Sequence, residues 1–275
     1  MVTSDRTGPL RRLAASSRLH GQLAGLSPGV LVSDVRDVVY LNYLGAADCL
    51  ERLLPAGLEL QRLGPARDLA LFSILVYRHG HLGPRWCGPG RRLLPSPLQS
   101  NWRLYVRDPR TGRDGVHFLT MTMSRPLYVL GSRLLAEGLP VHTSGRTQVR
   151  SRPDGGFTAL LGPGPGGPDL QAELVPADAR TAAPWRRAYP TYAAMLADVV
   201  PQNRGLAVAA DGRHVIRQEI QVELDLDTCR PLDGSVRSRA VREIVGADAE
   251  MFAFAFSHGR LTVHPETKDA LSSPA

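Results

Sequence analysis

The sequence has 275 residues, of which 43% are hydrophobic and 21% charged, a composition typical of a globular protein that buries a sizeable core. No apolar run approaches the roughly 20 residues of a membrane-spanning helix, and three widely spaced cysteines indicate a reducing cytoplasm rather than a disulfide framework. The net charge of +7 comes from scattered arginines without a nucleic-acid-binding motif, so neither nucleic acid nor a membrane is an expected partner.

The first hundred residues are predicted to contain a leader and then mostly strands. Residues 1–28 are rich in Arg and Ser and are predicted to be a flexible leader. Hydrophobic periodicity then predicts, in order, a strand at 30–44, a helix at 46–54 that stops at Pro55, strands at 57–63 and 67–82, and a loop at 86–99.

Residues 100–123, SNWRLYVRDPRTGRDGVHFLTMTM, predict a hairpin with a strictly alternating first strand. Apolar side chains (Trp102, Leu104 and Val106) alternate with polar ones (Asn101, Arg103, Tyr105 and Arg107). Two interpretations of the polar row are open. It is a solvated sheet face, or it lines a pocket, where a buried arginine would be costly unless it met an anion such as a carboxylate.

The remaining chain is again predicted to be rich in strands. The predicted elements are a helix at 125–138, paired strands at 139–152 and 155–162, a Gly-Pro loop at 162–168, a strand at 169–177, a helix at 189–200, a hairpin over 206–227 that turns at Asp211-Gly212, a strand at 251–263, and a polar tail at 265–275. Few helices among many hairpins favour an α+β fold with one domain over residues 29–264.

Three motifs that could carry chemistry are incomplete. GLSPG at 25–29 has the spacing of a nucleophile elbow, but Pro28 lacks the backbone N–H that the oxyanion hole needs. The Gly-Pro loop at 162–168 is followed by no Lys-Ser/Thr pair, so it is not a phosphate loop. His79, His81 and Cys87 lack an evident fourth zinc ligand, and no metal is expected.

Four motifs follow one another along the chain: PAGL at 55–58, NWRLYVR at 101–107, GVHFL at 115–119 and GLPVH at 138–142. In this order and spacing they resemble the YqjF-like family of the acetoacetate decarboxylase-like superfamily, and the resemblance extends over roughly residues 30–225. It implies a largely antiparallel, cone-shaped β-barrel with a few peripheral helices and a ligand pocket inside.

The resemblance also implies which residues form the pocket. Arg103 would hold a carboxylate or enolate oxygen, Tyr105 and Asn101 would add hydrogen bonds, and Gln99 is the nearest match to an acidic pocket residue of acetoacetate decarboxylases. Those enzymes use a Schiff-base lysine, but the matching segment here, Gly138–His142, contains none. Schiff-base chemistry is therefore not expected.

Two further residues are candidates with an ordinary structural alternative. His142 stands where the family carries lysine, and an imidazole can move a proton near neutral pH. It could equally be a hydrogen-bonded histidine within a strand. Glu219 is a candidate second carboxylate of the pocket, although the polar strand face that carries it would ordinarily be solvated.

The expected function is binding of a small organic acid or polyketide-like carbonyl compound, without a cofactor. An enzyme would be a lyase or isomerase that transfers protons in isomerisation, dehydration, cyclisation or a retro-aldol step. The alternative is a non-catalytic ligand-binding or regulatory protein of the same fold. The family resemblance also implies that the protein can form a homo-oligomer, but the residues themselves leave the oligomeric state open.

Overall fold

The computed structural model describes residues 29–178 and 184–270. The predicted leader at 1–28 and residues 271–275 of the predicted tail lie outside this part of the chain. None of the helices in the described residues is long and apolar enough to span a membrane.

Strands dominate the structure. They are β1 (Leu31–Ala46), β2 (Glu59–Leu60), β3 (Arg62–Leu63), β4 (Leu69–Pro84), β5 (Leu98–Asp108), β6 (Arg113–Met123), β7 (Val141–Thr143), β8 (Thr147–Ser151), β9 (Phe157–Leu161), β10 (Leu170–Pro176), β11 (Arg204–Val208), β12 (His214–Glu223), β13 (Arg230–Arg237) and β14 (Met251–Ala270). The helices are α1 (Ala47–Glu51), α2 (Pro126–Leu135), α3 (Tyr192–Val199) and α4 (Arg239–Val245), with 3-10 segments at Arg85–Leu93, Pro184–Arg187 and Leu226–Thr228.

Seven strands form a closed ring. The order is β1-β4-β5-β6-β11-β12-β14, and β14 pairs back onto β1 over the register from Leu31↔Val263 to Tyr43↔Met251. From β14 the sheet continues through β13, β10, β9 and β8. The β6–β7 and β6–β11 pairings are parallel, so the sheet is mixed. The predicted mostly β fold with a few helices is confirmed, and the parallel pairings qualify its predicted antiparallel character.

Alternation along the strands produces a separate hydrophobic core on each face of the ring. Outward-facing residues such as Ile74, Trp102 and Leu104 pack with the side chains of β8, β9, β10 and β13. Residues facing the interior, among them Leu75 and Phe118, pack with α2 and α3. Because both faces of β4 and β5 are covered, neither face of these strands is simply solvated.

Several boundaries differ from those predicted. β5 begins at Leu98, so Gln99 belongs to the hairpin strand rather than to the preceding loop. Neither β13 nor α4 was predicted. In β13, Pro231 and Gly234 interrupt the strand pattern of the sequence, but pairing with β10 nevertheless makes this segment a strand. β14 continues to Ala270, which pairs with His214, and it therefore includes residues 265–270 of the predicted tail.

Candidate functional site

A cavity of about 690 Å³ lies inside the ring of strands, between the sheet and α2. Most of its wall is apolar, with Leu75 contributed by β4 and Val116, Phe118, Met121 and Met123 by β6. A lining of this kind is typical of a site for small organic molecules, in which a few polar groups set the orientation of the ligand.

Five polar side chains of the wall lie together on β4 and β5. Tyr77 and His79 of β4 and Gln99, Asn101 and Arg103 of β5 all line the cavity, and we call these five residues the polar strip. Each set follows the two-residue period of a strand. The strands pair so that Tyr77 lies opposite Gln99, which brings the two sets together.

Arg103 is 4% exposed, and it forms no ion pair with any carboxylate of the described residues. Its Nη2 donates to the Tyr105 hydroxyl at 3.0 Å and lies 3.5 Å from the carbonyl oxygen of Val199, at the end of α3. The guanidinium also lies over the rings of Tyr40 and Tyr105, at 5.5 and 5.3 Å from their centroids. Its buried Nε makes no hydrogen bond within the part of the chain that the structure describes. Since arginine stays charged in proteins, this site holds a buried cation that its surroundings only partly compensate.

The other members of the polar strip form a continuous chain of hydrogen bonds. His79 Nε2 lies 2.8 Å from Gln99 Oε1, Gln99 Nε2 donates to Asn101 Oδ1 at 2.6 Å, and Asn101 Nδ2 donates to the Tyr77 hydroxyl at 3.2 Å. His79 Nδ1 is anchored 2.9 Å from the hydroxyl of Ser33. Burial lowers the pKa of His79 to about 4, although the hydrogen bond to Gln99 opposes the shift, so the imidazole is neutral at physiological pH.

The predicted polar row of β5 is therefore mostly buried. Asn101 is 7% exposed and lines the cavity beside Gln99 and Arg103. Tyr105 is buried and reaches the site through Arg103, while its own hydroxyl donates to Val199 O at 3.0 Å. Arg107, at the end of the row, is exposed and pairs with Asp114. Of the two interpretations of this row, the solvated face holds for Arg107 alone.

The structure does not bring His142 or Glu219 into the cavity. Val141 lines the cavity, and successive side chains of a strand point to opposite faces, so His142 points away from it. There Arg133 Nη2 donates to His142 Nδ1 at 3.0 Å. Glu219 is exposed, and its neighbour Ile220 lines the cavity instead.

The single lysine of the chain lies at the cavity wall, where sequence reasoning did not place it. Lys268 pairs with Glu137, and Glu266 accepts the backbone N–H groups of Glu137 and Gly138 at 2.8 and 3.0 Å. The hydrogen bond to Glu137 raises the pKa of Lys268, which keeps the amine protonated. Alternation along β14 is the signal that could have placed Glu266 and Lys268 on one face, had the strand been predicted to reach them.

Tyr77 and His79 were also not identified from the sequence as parts of a binding site. Their spacing on β4 indicates a shared face, but the apolar residues around them resemble an ordinary core strand. Within residues 29–178 and 184–270, no group of three His, Cys, Asp or Glu side chains is close enough to hold a metal ion. Both ring nitrogens of His79 are instead hydrogen-bonded, one to Ser33 and the other to Gln99.

Comparisons with known proteins agree with this architecture. The DUF2071 family model, described as an uncharacterized conserved protein, matches residues 33–161, which include the whole polar strip. No curated protein matches the sequence.

Several solved structures share the fold, among them three enzymes. The enduracididine biosynthesis enzyme MppR, complexed with the condensation product of pyruvate and imidazole 4-carboxaldehyde, is 16% identical over 90% of this chain and 92% of that chain, with a TM-score of 0.58. An acetoacetate decarboxylase-like enzyme from Sphingomonas wittichii RW1 is 10% identical over 89% and 94%, with a TM-score of 0.60. Acetoacetate decarboxylase from Legionella pneumophila is 13% identical over 88% and 87%, with a TM-score of 0.56. The chain thus has an acetoacetate decarboxylase-like fold.

Proposed function

We propose that the protein binds a small organic acid, or a related carbonyl compound, in the cavity, with Arg103 paired to its anionic oxygen. The observation that carries this proposal is the buried guanidinium that lines the cavity and has no carboxylate partner among the described residues. An unpaired buried charge is expensive to maintain. A ligand carboxylate can accept from the Nε–H of Arg103, for which the described residues provide no acceptor.

The shape and chemistry of the wall support a ligand with an apolar body. The polar strip occupies two adjacent strands, and apolar side chains of β1, β6, β12 and α2 provide much of the remaining contact surface. The fold neighbour MppR has been seen with pyruvate and with a condensation product of pyruvate, which supports a carbonyl-containing acid here as well. We also propose that the chain is a member of the YqjF-like family, which its motifs resemble.

Any chemistry on the bound acid would proceed without a Schiff base. Lys268 is held protonated by Glu137, and an ammonium is not a nucleophile. The candidate reactions are the proton transfers of an isomerisation, dehydration, cyclisation or retro-aldol step, assisted by the polar strip. A non-catalytic ligand-binding or regulatory protein of this fold is the second candidate, because His79, the imidazole of the polar strip, is hydrogen-bonded at both ring nitrogens and is therefore not a free general base.

A thermal-shift experiment with a matched pair of variants tests the binding proposal. Octanoate, oxo-octanoates and their methyl esters are added to wild type, Arg103→Met and Arg107→Gln. Arg107 is on the same strand but is exposed and paired with Asp114, so its loss controls for the removal of one positive charge.

Acids at a hundredfold excess over the dissociation constant should stabilise wild type and Arg107→Gln by about 2.7 kcal/mol, or roughly 5 °C in Tm. Arg103→Met and the ester samples should show no shift. An equal response of all three proteins to the acids would refute pairing at Arg103. Incubating the stabilising acids with wild type and following them by NMR then separates turnover from binding alone.

A further inference from the structure

Along the polar strip each group donates to the next. Gln99 presents its amide oxygen to His79 and its amide nitrogen to Asn101. An amide oxygen only accepts and an amide nitrogen only donates, so His79 carries its proton on Nε2 and donates to Gln99. Gln99 donates to Asn101, and Asn101 donates to Tyr77. The chain therefore runs in one direction and ends at Tyr77.

The Tyr77 hydroxyl keeps its own proton free for a ligand. Its oxygen accepts from Asn101, and the described residues provide no acceptor for its O–H. Tyr77 is 5% exposed and lines the cavity. Burial raises its pKa, although the hydrogen bond from Asn101 and the charge of Arg103 oppose the shift, so the phenol stays neutral and remains a donor.

We propose that Tyr77 is a specificity-determining residue, which donates its hydroxyl to a carbonyl oxygen of the acid bound at Arg103, and that His79, Gln99 and Asn101 position it for this role. This inference rests on the proposed function, since Arg103 holds the other end of the ligand. A ligand without an acceptor at this point leaves a buried donor unpaired, which a site pays for in affinity. The protein thus selects an oxo acid over the saturated acid of the same length.

The direction of the chain can be reversed by one nearly isosteric substitution. In Asn101→Asp the side chain offers only acceptors when ionised, so Gln99 still donates to it, but Tyr77 has to donate to it as well. The Tyr77 proton then no longer points to the ligand. A residue with a merely structural role would not change which acids are preferred, whereas reversal of a donor would.

The experiment measures dissociation constants of octanoate, 2-oxooctanoate and 4-oxooctanoate by calorimetry for wild type and three variants. Tyr77→Phe removes the donor, and Asn101→Asp turns it away. Tyr128→Phe is the matched control, because Tyr128 also lines the cavity but donates its hydroxyl to the backbone oxygens of Leu82 and Pro95, at 2.8 and 3.0 Å. The readout is the ratio of affinities of oxo acid and saturated acid, which cancels any common effect on the carboxylate.

Wild type and Tyr128→Phe should bind at least one oxo acid about tenfold more tightly than octanoate. The ratio should fall to near one in Tyr77→Phe and in Asn101→Asp. Equal affinity of wild type for all three acids, or an unchanged ratio in Tyr77→Phe, would overturn the role of Tyr77 while leaving binding at Arg103 intact. Absence of binding of any acid to wild type would instead refute the proposed function itself.

Discussion

Replacing Arg103 by methionine is expected to leave the ligand-free protein about as stable as wild type, although it removes a fully buried side chain. The substitution forfeits the hydrogen bond from Nη2 to Tyr105 at 3.0 Å, worth about 1.5–3 kcal/mol for a charged donor. It also forfeits two ring contacts, each about 0.5–2 kcal/mol. Tyr105 keeps its own hydrogen bond to Val199 O.

Against these losses stands the relief of an unpaired buried charge, which is several kcal/mol for an ion in a protein interior. Methionine has a similar length and fills the same space. We therefore expect the free energy of unfolding to change by no more than about 2 kcal/mol in either direction, measured by urea unfolding with an unchanged m-value.

Arg110→Met is the matched comparison, because Arg110 pairs with the buried carboxylate of Asp108 through contacts of 3.0 Å. Burial would raise the pKa of Asp108, but the hydrogen bonds from Arg110 outweigh burial and lower it. The free energy of unfolding of this variant should be about 2 kcal/mol lower than that of wild type, since the carboxylate of Asp108 is left without its cation. A loss of more than about 4 kcal/mol in Arg103→Met would show that the fold itself compensates Arg103, and the reasoning for an anionic ligand would fail.

Three further outcomes are expected. Burial lowers the pKa of His79 from 6.5 to about 4, so the unfolded state binds more protons than the folded state between these pH values. The free energy of unfolding should therefore fall by about 3 kcal/mol from pH 7 to pH 4. Urea unfolding at several pH values measures this decline, and His79→Gln should lack it. Treatment with an oxo acid and cyanoborohydride should leave Lys268 unmodified, because Glu137 keeps its amine protonated. Mass spectrometry checks this, and a reduced adduct on Lys268 would contradict it. His142→Ala should bind acids within about twofold of wild type by calorimetry, because a side chain that points away from the cavity contributes little to affinity, and a tenfold loss would place His142 at the ligand.

The polar row of β5 could be predicted from the sequence because alternation is a local property. Asn101 and Arg103 share a face wherever the strand lies, and the resemblance to a family with an internal pocket suggested which face that was. The resemblance alone placed Gln99 near the site, and it was predicted to lie in the preceding loop rather than in the strand.

The partners of that row could not be predicted, because they depend on strand pairing across the sheet. Tyr77 meets Gln99 only through the antiparallel register of β4 with β5. Lys268 reaches the cavity only because β14 extends to Ala270 against β12. His142 does not line the cavity because of a local difference of one position. Successive side chains of a strand point to opposite faces, so Val141 lines the cavity and His142 points away from it.

NMR of the arginine Nε–H groups tests most directly whether an acid pairs with the Arg103 guanidinium. Arg103 Nε makes no hydrogen bond with the described residues, so its ¹⁵N–¹H resonance, assigned by its absence in Arg103→Met, should move on addition of a carboxylic acid and stay unchanged with the methyl ester. If saturating acid leaves this resonance unmoved while the protein binds it by calorimetry, the acid pairs elsewhere and the proposed site is wrong.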